Sequence, residues 1–477
     1  MDSGGGTYLL FGSRRIDIYI KVFEEAIKRG RRCLYLVPEI WMVEEALRRV
    51  KGRIKKVGVL HSSLSPGEYL DEWERIKGGE FDLVIGTRVS LFSPVGNLGV
   101  IVVDEEHDPS YKQETSPRYD AREVAKKLSE LTNSILIFGS LTPSVETFVR
   151  RDVKVFSLPR AKVSDVKVVD MREELKRGNY GFLSRELEEE MGRTLGRGEK
   201  VFLFINRRGG SWLHQCRLCG YVPRCDRCLV PLTPHPSESL LICHHCSYKE
   251  KLHKECPMCG GELRPVGIGT EGVEEEIRRR FPERKTLRWD RDAGTRTLEA
   301  EIFIGTTVLR RALSFSSPSL IGVINADTGL YIPDFRSQER IFQLLYELGE
   351  RGKKVIIQTF SPEHYAIKYA SARDYISFIK EEMKWRRLLK YPPFSRLVRL
   401  VFSHRDENTA RRKALELGER LKELELDIIG PSPCYMYKVR GKYRWHIILR
   451  GENPACFLRN FHIPRGWIID VDPISLV

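Results

Sequence analysis

Eight of the chain's eleven cysteines fall between residues 214 and 262, as four Cys-x-x-Cys pairs: Cys216/Cys219, Cys225/Cys228, Cys243/Cys246 and Cys256/Cys259. Two thiolates two residues apart reach one tetrahedral ion from a single tight turn, and two such turns complete a four-thiolate site. Four pairs therefore call for two zinc ions. The stretch is too short and polar to build a core of its own, so metal has to supply much of its folding energy. A disulfide framework would need an oxidising compartment, and no secretory signal is evident. The pairs can combine outer with outer and inner with inner, which suits the closeness of the first two, or consecutively along the chain. Complete cysteine pairs make the neighbouring histidines, such as His214 and His244, unnecessary as ligands.

A length of 477 residues allows two to four domains with substantial cores. The net charge of +15 points to a polyanionic partner. No apolar run approaches the length that spans a bilayer, so a cytoplasmic protein with no membrane role is expected. From residue 7 the sequence alternates short apolar strands (TYLLFG, RCLYLVPEI, KKVGVLHS, FDLVIGT, LGVIVVDEEH, SILIFGS) with helical stretches. Near-continuous apolar strands spaced by helices argue for a parallel sheet covered on both faces. A second such unit starts at VFLFINRRG, is interrupted by the cysteines, and continues through EIFIGTT, LIGVINAD and KKVIIQTF. After about residue 371 the pattern becomes a basic helix, Pro392-Pro393, and a strand–helix–strand alternation expected to form a small, ferredoxin-like α+β domain. The expected organisation is lobe 1 at 1–165, lobe 2 at 166–370 with a zinc-binding insertion at 214–262, and the α+β domain at 371–477.

Working residues of open α/β sheets lie just past the carboxyl ends of strands. Asp104-Glu105-Glu106-His107 follows such a strand, as do Gly86-Thr87-Arg88 and Gly139-Ser140-Leu141-Thr142-Pro143. An Asp at that place can hold Mg²⁺ on a nucleotide, and the next Glu can orient a water toward the γ-phosphate. These residues resemble the superfamily 2 helicase core and, within it, the PriA primosomal replication-restart family. The likeness runs through VPEI (37–40), VIGTRVSLFSPVGNLGVIVVDEEHDPSYKQ (84–113), GSLTPSVE (139–146), FINRRGG (204–210), DFRSQER (334–340) and YPPFSR (391–396). The resemblance implies two RecA-like lobes and a binuclear zinc insertion. It also implies nested pairing, with zinc 1 on Cys216, Cys219, Cys256 and Cys259 and zinc 2 on Cys225, Cys228, Cys243 and Cys246.

The chain departs from the family pattern in two respects. The family carries an N-terminal DNA-binding region and a winged helix ahead of the core, and this sequence begins almost at the first core strand, so those modules are expected to be missing. The phosphate loop G-x-x-x-x-G-K-[ST] is represented by Gly12-Ser13-Arg14-Arg15-Ile16. Arg14 puts a side chain where the backbone must approach phosphate, Arg15 is no equivalent of a P-loop lysine, and Ile16 cannot bind a metal. The arginine-finger block is reduced to Gly349-Glu350-Arg351-Gly352, and a family motif in lobe 2 to Gly305-Thr306-Thr307-Val308. Coupled ATP hydrolysis is therefore not expected. The surviving Asp104 and Glu105 are read as side chains that satisfy backbone groups of their loop, with weak ATP and Mg²⁺ binding as the other reading.

Candidate DNA contacts are Tyr111, Lys112, Arg118, Tyr119 and Arg122, where rings and cations interleave, and Arg444-Trp445 in the basic run 438–445. The cysteine region adds Arg217, Arg224 and Arg227 among its cations. The expected function is a PriA-like restart protein that binds branched or single-stranded DNA and helps reload the replication machinery without helicase activity. Replication-restart proteins, the single-stranded-DNA-binding protein and the replicative helicase loader are the partners that the resemblance implies. An active 3′-to-5′ helicase and a zinc-organised nucleic-acid-binding protein without a fork role are the competing readings.

Overall fold

The computed structural model describes residues 5–159, 164–205, 213–216, 218–227, 230–235, 239–244, 246–266, 270–289, 299–313, 318–423 and 426–477. The chain divides into two compact units, Met1–Ala161 and Lys162–Val477.

The first unit is a parallel sheet of seven strands: β1 (Thr7–Phe11), β2 (Arg32–Leu36), β3 (Val57–Leu60), β4 (Leu83–Gly86), β5 (Leu98–Val103), β6 (Ile135–Ser140) and β7 (Val153–Ser157). Their order is β3-β4-β2-β5-β6-β1-β7. Alternate residues serve opposite faces, as the pleat demands. Leu34, Leu36, Ile101, Val103, Leu136 and Phe138 fill one core layer. Cys33, Tyr35, Val100, Val102 and Ile137 fill the other. Covering on both faces is why these strands read as continuous apolar runs. Neighbouring strands β5, β6 and β1 bring their carboxyl ends together, with Phe11 beside Ser140 and Phe138 beside Val103.

The second unit opens a six-stranded parallel sheet with β8 (Asp165–Asp170) and β9 (Val201–Phe204). The cysteine region follows as five short strands: β10 (Leu213–Cys216), β11 (Thr233–His235), β12 (Leu240–Ile242), β13 (Lys249–Lys251) and β14 (Leu263–Val266). β10 pairs with β14 and closes the insertion on itself. β11, β12 and β13 form a separate antiparallel ribbon. The sheet resumes with β15 (Thr286–Trp289), β16 (Ile302–Gly305), β17 (Leu320–Val323) and β18 (Lys354–Thr359), in the order β15-β16-β9-β17-β18-β8. Two RecA-like lobes and a cysteine-rich insertion are thus present as expected.

The same unit ends in β19 (Arg396–His404), β20 (Asp427–Val439), β21 (Lys442–Gly451) and β22 (Trp467–Val471), all antiparallel in the order β20-β21-β19-β22. The helix Glu407–Leu421 follows β19, and the four-residue helix Pro454–Phe457 precedes β22. This is the ferredoxin-like β-α-β-β-α-β connection with a vestigial second helix. Among the described residues no helix is long and apolar enough to cross a membrane.

Candidate functional site

The cysteine pairs share one local turn. The amide of each leading cysteine donates to the carbonyl five residues on: Cys216 to Tyr221, Cys225 to Val230, Cys243 to Tyr248 and Cys256 to Gly261. In three turns the amide of the residue four positions on also folds back, Gly220 to Cys216 O, Ser247 to Cys243 O and Gly260 to Cys256 O. That residue has a left-handed backbone each time, with φ of 77°, 60° and 70°. Such a turn points both thiols to one side. The structure gathers the outer pairs, Cys216, Cys219, Cys256 and Cys259, with all four sulfurs within 4.8 Å of one another. Cys216 Sγ lies 3.5 Å from Cys259 Sγ, and Cys219 Sγ 3.5 Å from Cys256 Sγ. The inner pairs contribute Cys225, Cys243 and Cys246, with Cys225 and Cys246 sulfurs 3.6 Å apart. Cys228 and Arg217 lie outside the described residues. Burial pushes the Cys219 thiol up to about 12 and raises Cys216 as well, and four thiolates gathered this closely repel one another unless a cation sits among them. A closed set of soft donors fits zinc.

The end of the first sheet is arranged differently from a phosphate loop. Gly12 leaves β1 hydrogen-bonded to Ser140 O, and Arg14 takes a left-handed φ of 59° before the helix Arg15–Lys28. Arg15 turns its guanidinium back onto the acidic pair. Its Nε donates to Asp104 Oδ1 at 3.0 Å, one terminal nitrogen to Glu105 Oε1 at 2.6 Å, and the other to Gly12 O at 2.6 Å. The hydroxyls of Tyr19 and Tyr35 complete the Asp104 carboxylate, at 2.9 Å on Oδ1 and 3.3 Å on Oδ2. Burial disfavours the Arg15 cation, and Asp104 and Glu105 more than offset it, holding its pKa well above the ordinary value. Asp104 and Glu105 thus share a buried cation, a partner that the reading of them as loop-satisfying side chains did not include. Gly139 makes room for this cluster, because a Cβ there would sit 1.7 Å from the Tyr19 hydroxyl and 2.7 Å from Asp104 Oδ1. Ile16 packs into the apolar layer with Tyr19 and Phe23.

Glu106 is fully buried, and its carboxylate accepts from the Ser144 amide at 2.6 Å, the Ser144 hydroxyl at 2.9 Å and the Thr147 hydroxyl at 2.8 Å. His107 Nδ1 lies 2.8 Å from Ser140 Oγ. These bonds tie the end of β5 to the segment after β6. Sequence reasoning did not single out Tyr19, Tyr35 or Thr147, and it named Glu106 within the Asp104–His107 strand end without giving it a role.

The expected DNA contacts scatter. Tyr111 is fully buried, its hydroxyl against the carbonyls of Leu36 and Asp104, and Lys112 is only 5% exposed. Tyr111 is a core residue of lobe 1 and not a stacking platform. The cause is local: Asp108 Oδ1 caps a short turn by accepting from Ser110, which aims Tyr111 into the sheet. Arg118 and Tyr119 are half-buried, and Tyr119 meets the exposed Phe92 ring edge-on at 5.2 Å. Arg122 is bound to Asp120 and donates to Glu106 O at 2.9 Å. In the last domain Arg444 and Trp445 are half-buried on β21, beside an exposed hairpin with Lys438, Arg440 and Lys442.

In lobe 2, Glu347 holds both Arg310, at 2.8 Å, and Arg351, at 3.1 Å. Arg224 of the cysteine region lies over the Tyr331 ring at 5.4 Å. Burial, then the Arg224 charge, depress His364 to about 3. An unfolded histidine titrates near 6.5, so between the two values the unfolded chain carries the extra proton and stability falls as pH falls. His364 Nδ1 accepts from the Ala366 amide at a helix start, a bond that asparagine also makes. His364→Asn is expected to flatten the acid side of the stability curve, read as urea midpoints of both proteins from about pH 7.5 to 5.5.

A parallel-sheet lobe with an Asp-Glu-Glu-His strand end defines a helicase-like core, and residues 16–148 match the DEAD/DEAH box helicase family model. Residues 225–251 match the PriA DNA helicase Cys-rich region, and 387–474 the primosomal protein N C-terminal domain. Replication restart protein PriA of Bacillus subtilis (strain 168) is 38% identical over 469 residues, covering 92% of this chain and 58% of that protein. The Treponema pallidum (strain Nichols) protein of the same name is 36% identical over 504 residues, 98% of this chain and 76% of that protein. The Thermotoga maritima protein is 34% identical over 466 residues, with 93% and 62% covered. The chain belongs to the PriA replication restart family. It spans 58% of the length of its Bacillus relative and 76% of its Treponema relative.

Proposed function

We propose that this chain binds branched or single-stranded DNA during replication restart without coupling that binding to ATP hydrolysis. One observation carries the reading. Arg15 occupies the acidic pair that would otherwise hold Mg²⁺, at 3.0 Å from Asp104 and 2.6 Å from Glu105. ATP turnover needs those carboxylates for the metal and the water, a lysine on the phosphates, and a free arginine finger. Here the carboxylates are neutralised from within, and Arg351 is tied to Glu347. The net charge of +15 supports a polyanionic ligand.

Two zinc ions belong to this reading: one on Cys216, Cys219, Cys256 and Cys259, the other on Cys225, Cys228, Cys243 and Cys246. Bound there, zinc supplies four-coordinate cross-links and no open position for chemistry. The proposed organisation is a lobe at 1–165, a second at 166–370 carrying the insertion 214–262, and the α+β domain at 371–477.

The test is ATP turnover by zinc-loaded protein with and without excess forked DNA, alongside the Asp104→Ala/Glu105→Ala variant, with fork binding followed by fluorescence anisotropy. Fork binding with turnover no higher than in the variant is the expected result. Fork-stimulated turnover that the double substitution abolishes would establish an ATP-driven helicase instead.

A further inference from the structure

The inner cysteine turn is the part of the cysteine region that the C-terminal sheet grips. From that seat we infer that metal at the inner cluster fixes the placement of the ferredoxin-like domain, with Ser432 and His446 as positioning residues. The inference rests on the zinc reading of the cysteines.

The seat is built on both sides. His244, between the ligands Cys243 and Cys246, is 2% exposed. Its carbonyl accepts from Ser432 Oγ at 3.0 Å and faces His446 Nε2 at 2.7 Å, and Ser432 and His446 are fully buried. Arg399 Nε donates to His446 Nδ1 at 3.2 Å, which leaves the proton of His446 on Nε2, pointed at that carbonyl. In the other direction, His244 Nδ1 reaches Pro433 O at 2.9 Å and Ser247 Oγ donates to Pro431 O at 2.9 Å. Pro431 and Pro433 have no N–H, so these two residues of β20 offer only their carbonyls, and His244 and Ser247 of the turn bring the matching donors, while Ser432 between them donates the other way. β20 shifts register against β21 between Ile429 and Ser432 and again between Pro433 and Lys438, where the turn is received. Cys246 itself packs against the apolar cluster of Phe335, Tyr391, Leu397, Ile429, Ile448 and Leu476.

The outer turn sits elsewhere in the same unit. A Cβ on Gly220 would meet Phe360 O at 2.5 Å, just past β18, so that turn abuts the carboxyl end of the lobe 2 sheet. Each cluster therefore holds one end of a bridge from lobe 2 to the last domain. Among the described residues, the apolar filling of the inner ribbon is Val230, Leu232 and Leu241 beside its cysteines, with Tyr248 and Leu252 partly buried against them. So small a core does not keep the 243–247 turn in shape without its ion.

Hydrogen exchange on the full-length, zinc-loaded protein tests this, with zinc content measured on every sample. Cys225→Ser/Cys243→Ser removes inner ligands that lie outside the apolar patch. It is expected to lose one zinc and to speed exchange in residues 430–437 at least tenfold, leaving 356–364 unchanged. Cys256→Ser is expected to do the converse. Ser247→Ala/Ser432→Ala is expected to keep both zincs and still speed exchange at 430–437 several-fold. The inference is overturned if the inner variant loses its zinc with residues 430–437 unmoved, if both cysteine variants loosen the two segments equally, or if the serine pair changes nothing. Wild-type protein without zinc would instead sink the metal reading itself.

Discussion

Withdrawing metal from both cysteine clusters is expected to unfold residues 213–266 while the first lobe keeps its melting transition. Structural zinc in small metal-folded modules supplies about 10–16 kcal/mol. The inner ribbon, with strands of three residues each, has nothing comparable to fall back on. The measurement is a chelator titration followed by limited proteolysis and differential scanning calorimetry. New cleavage confined to the insertion and its contacts, with the first lobe's transition in place, is the expected outcome. Retention of the 213–266 segment intact after zinc is gone would show that packing alone folds it. Acid acts in the same direction, because protons compete with the ion for thiols such as Cys219, which burial holds at about 12 when no ion is bound.

The second large effect is at Arg15. Arg15→Ala leaves Asp104 and Glu105 facing each other in the interior without their cation, and breaking a buried pair from one side costs about 3–5 kcal/mol. Urea unfolding of the first lobe is expected to report a loss in that range. Arg15→Lys is expected to recover only part of it, since a point charge cannot serve Asp104, Glu105 and Gly12 O together as the planar fork does. The triple change Arg15→Ala/Asp104→Ala/Glu105→Ala removes both sides of the pair and is expected to be less damaging than Arg15→Ala alone. If Arg15→Ala costs no more than an average surface change, Arg15 does not neutralise the site, and nucleotide binding there would have to be reconsidered.

What the sequence made legible follows physical lines. The cysteine spacing announced metal turns because the turn is local, closing within six residues. Central strands were readable from their double burial. Besides the short strands of the cysteine region, the strands of the two parallel sheets that escaped notice are β7, β8 and β15, each the edge of its sheet, where one or both faces meet solvent and the apolar run breaks up: β7 carries Lys154 and three other exposed residues in five. The phosphate loop was read as unfit from three substitutions. That Arg15 folds onto Asp104 was not visible, because the two lie 89 residues apart and meet only when β1 and β5 are placed on either side of β6. Tyr111-Lys112-Gln113 misled for the opposite reason: alternating rings and cations look alike whether a turn aims them outward or into a sheet.

The grip on β20 also bears on how the protein behaves in bulk solution. β20 is a thirteen-residue edge strand, and an uncovered edge of that length invites pairing with another molecule. The opposite edge, β22, is five residues long and carries Asp470, with Asp472 just beyond it, devices that discourage such pairing. On the β20 side, two prolines and the seated cysteine turn do that work. If the inner cluster holds its proposed ion, zinc status would bear on colloidal stability as well as shape: protein without that ion would carry an adhesive edge, and its solubility would set the working concentration.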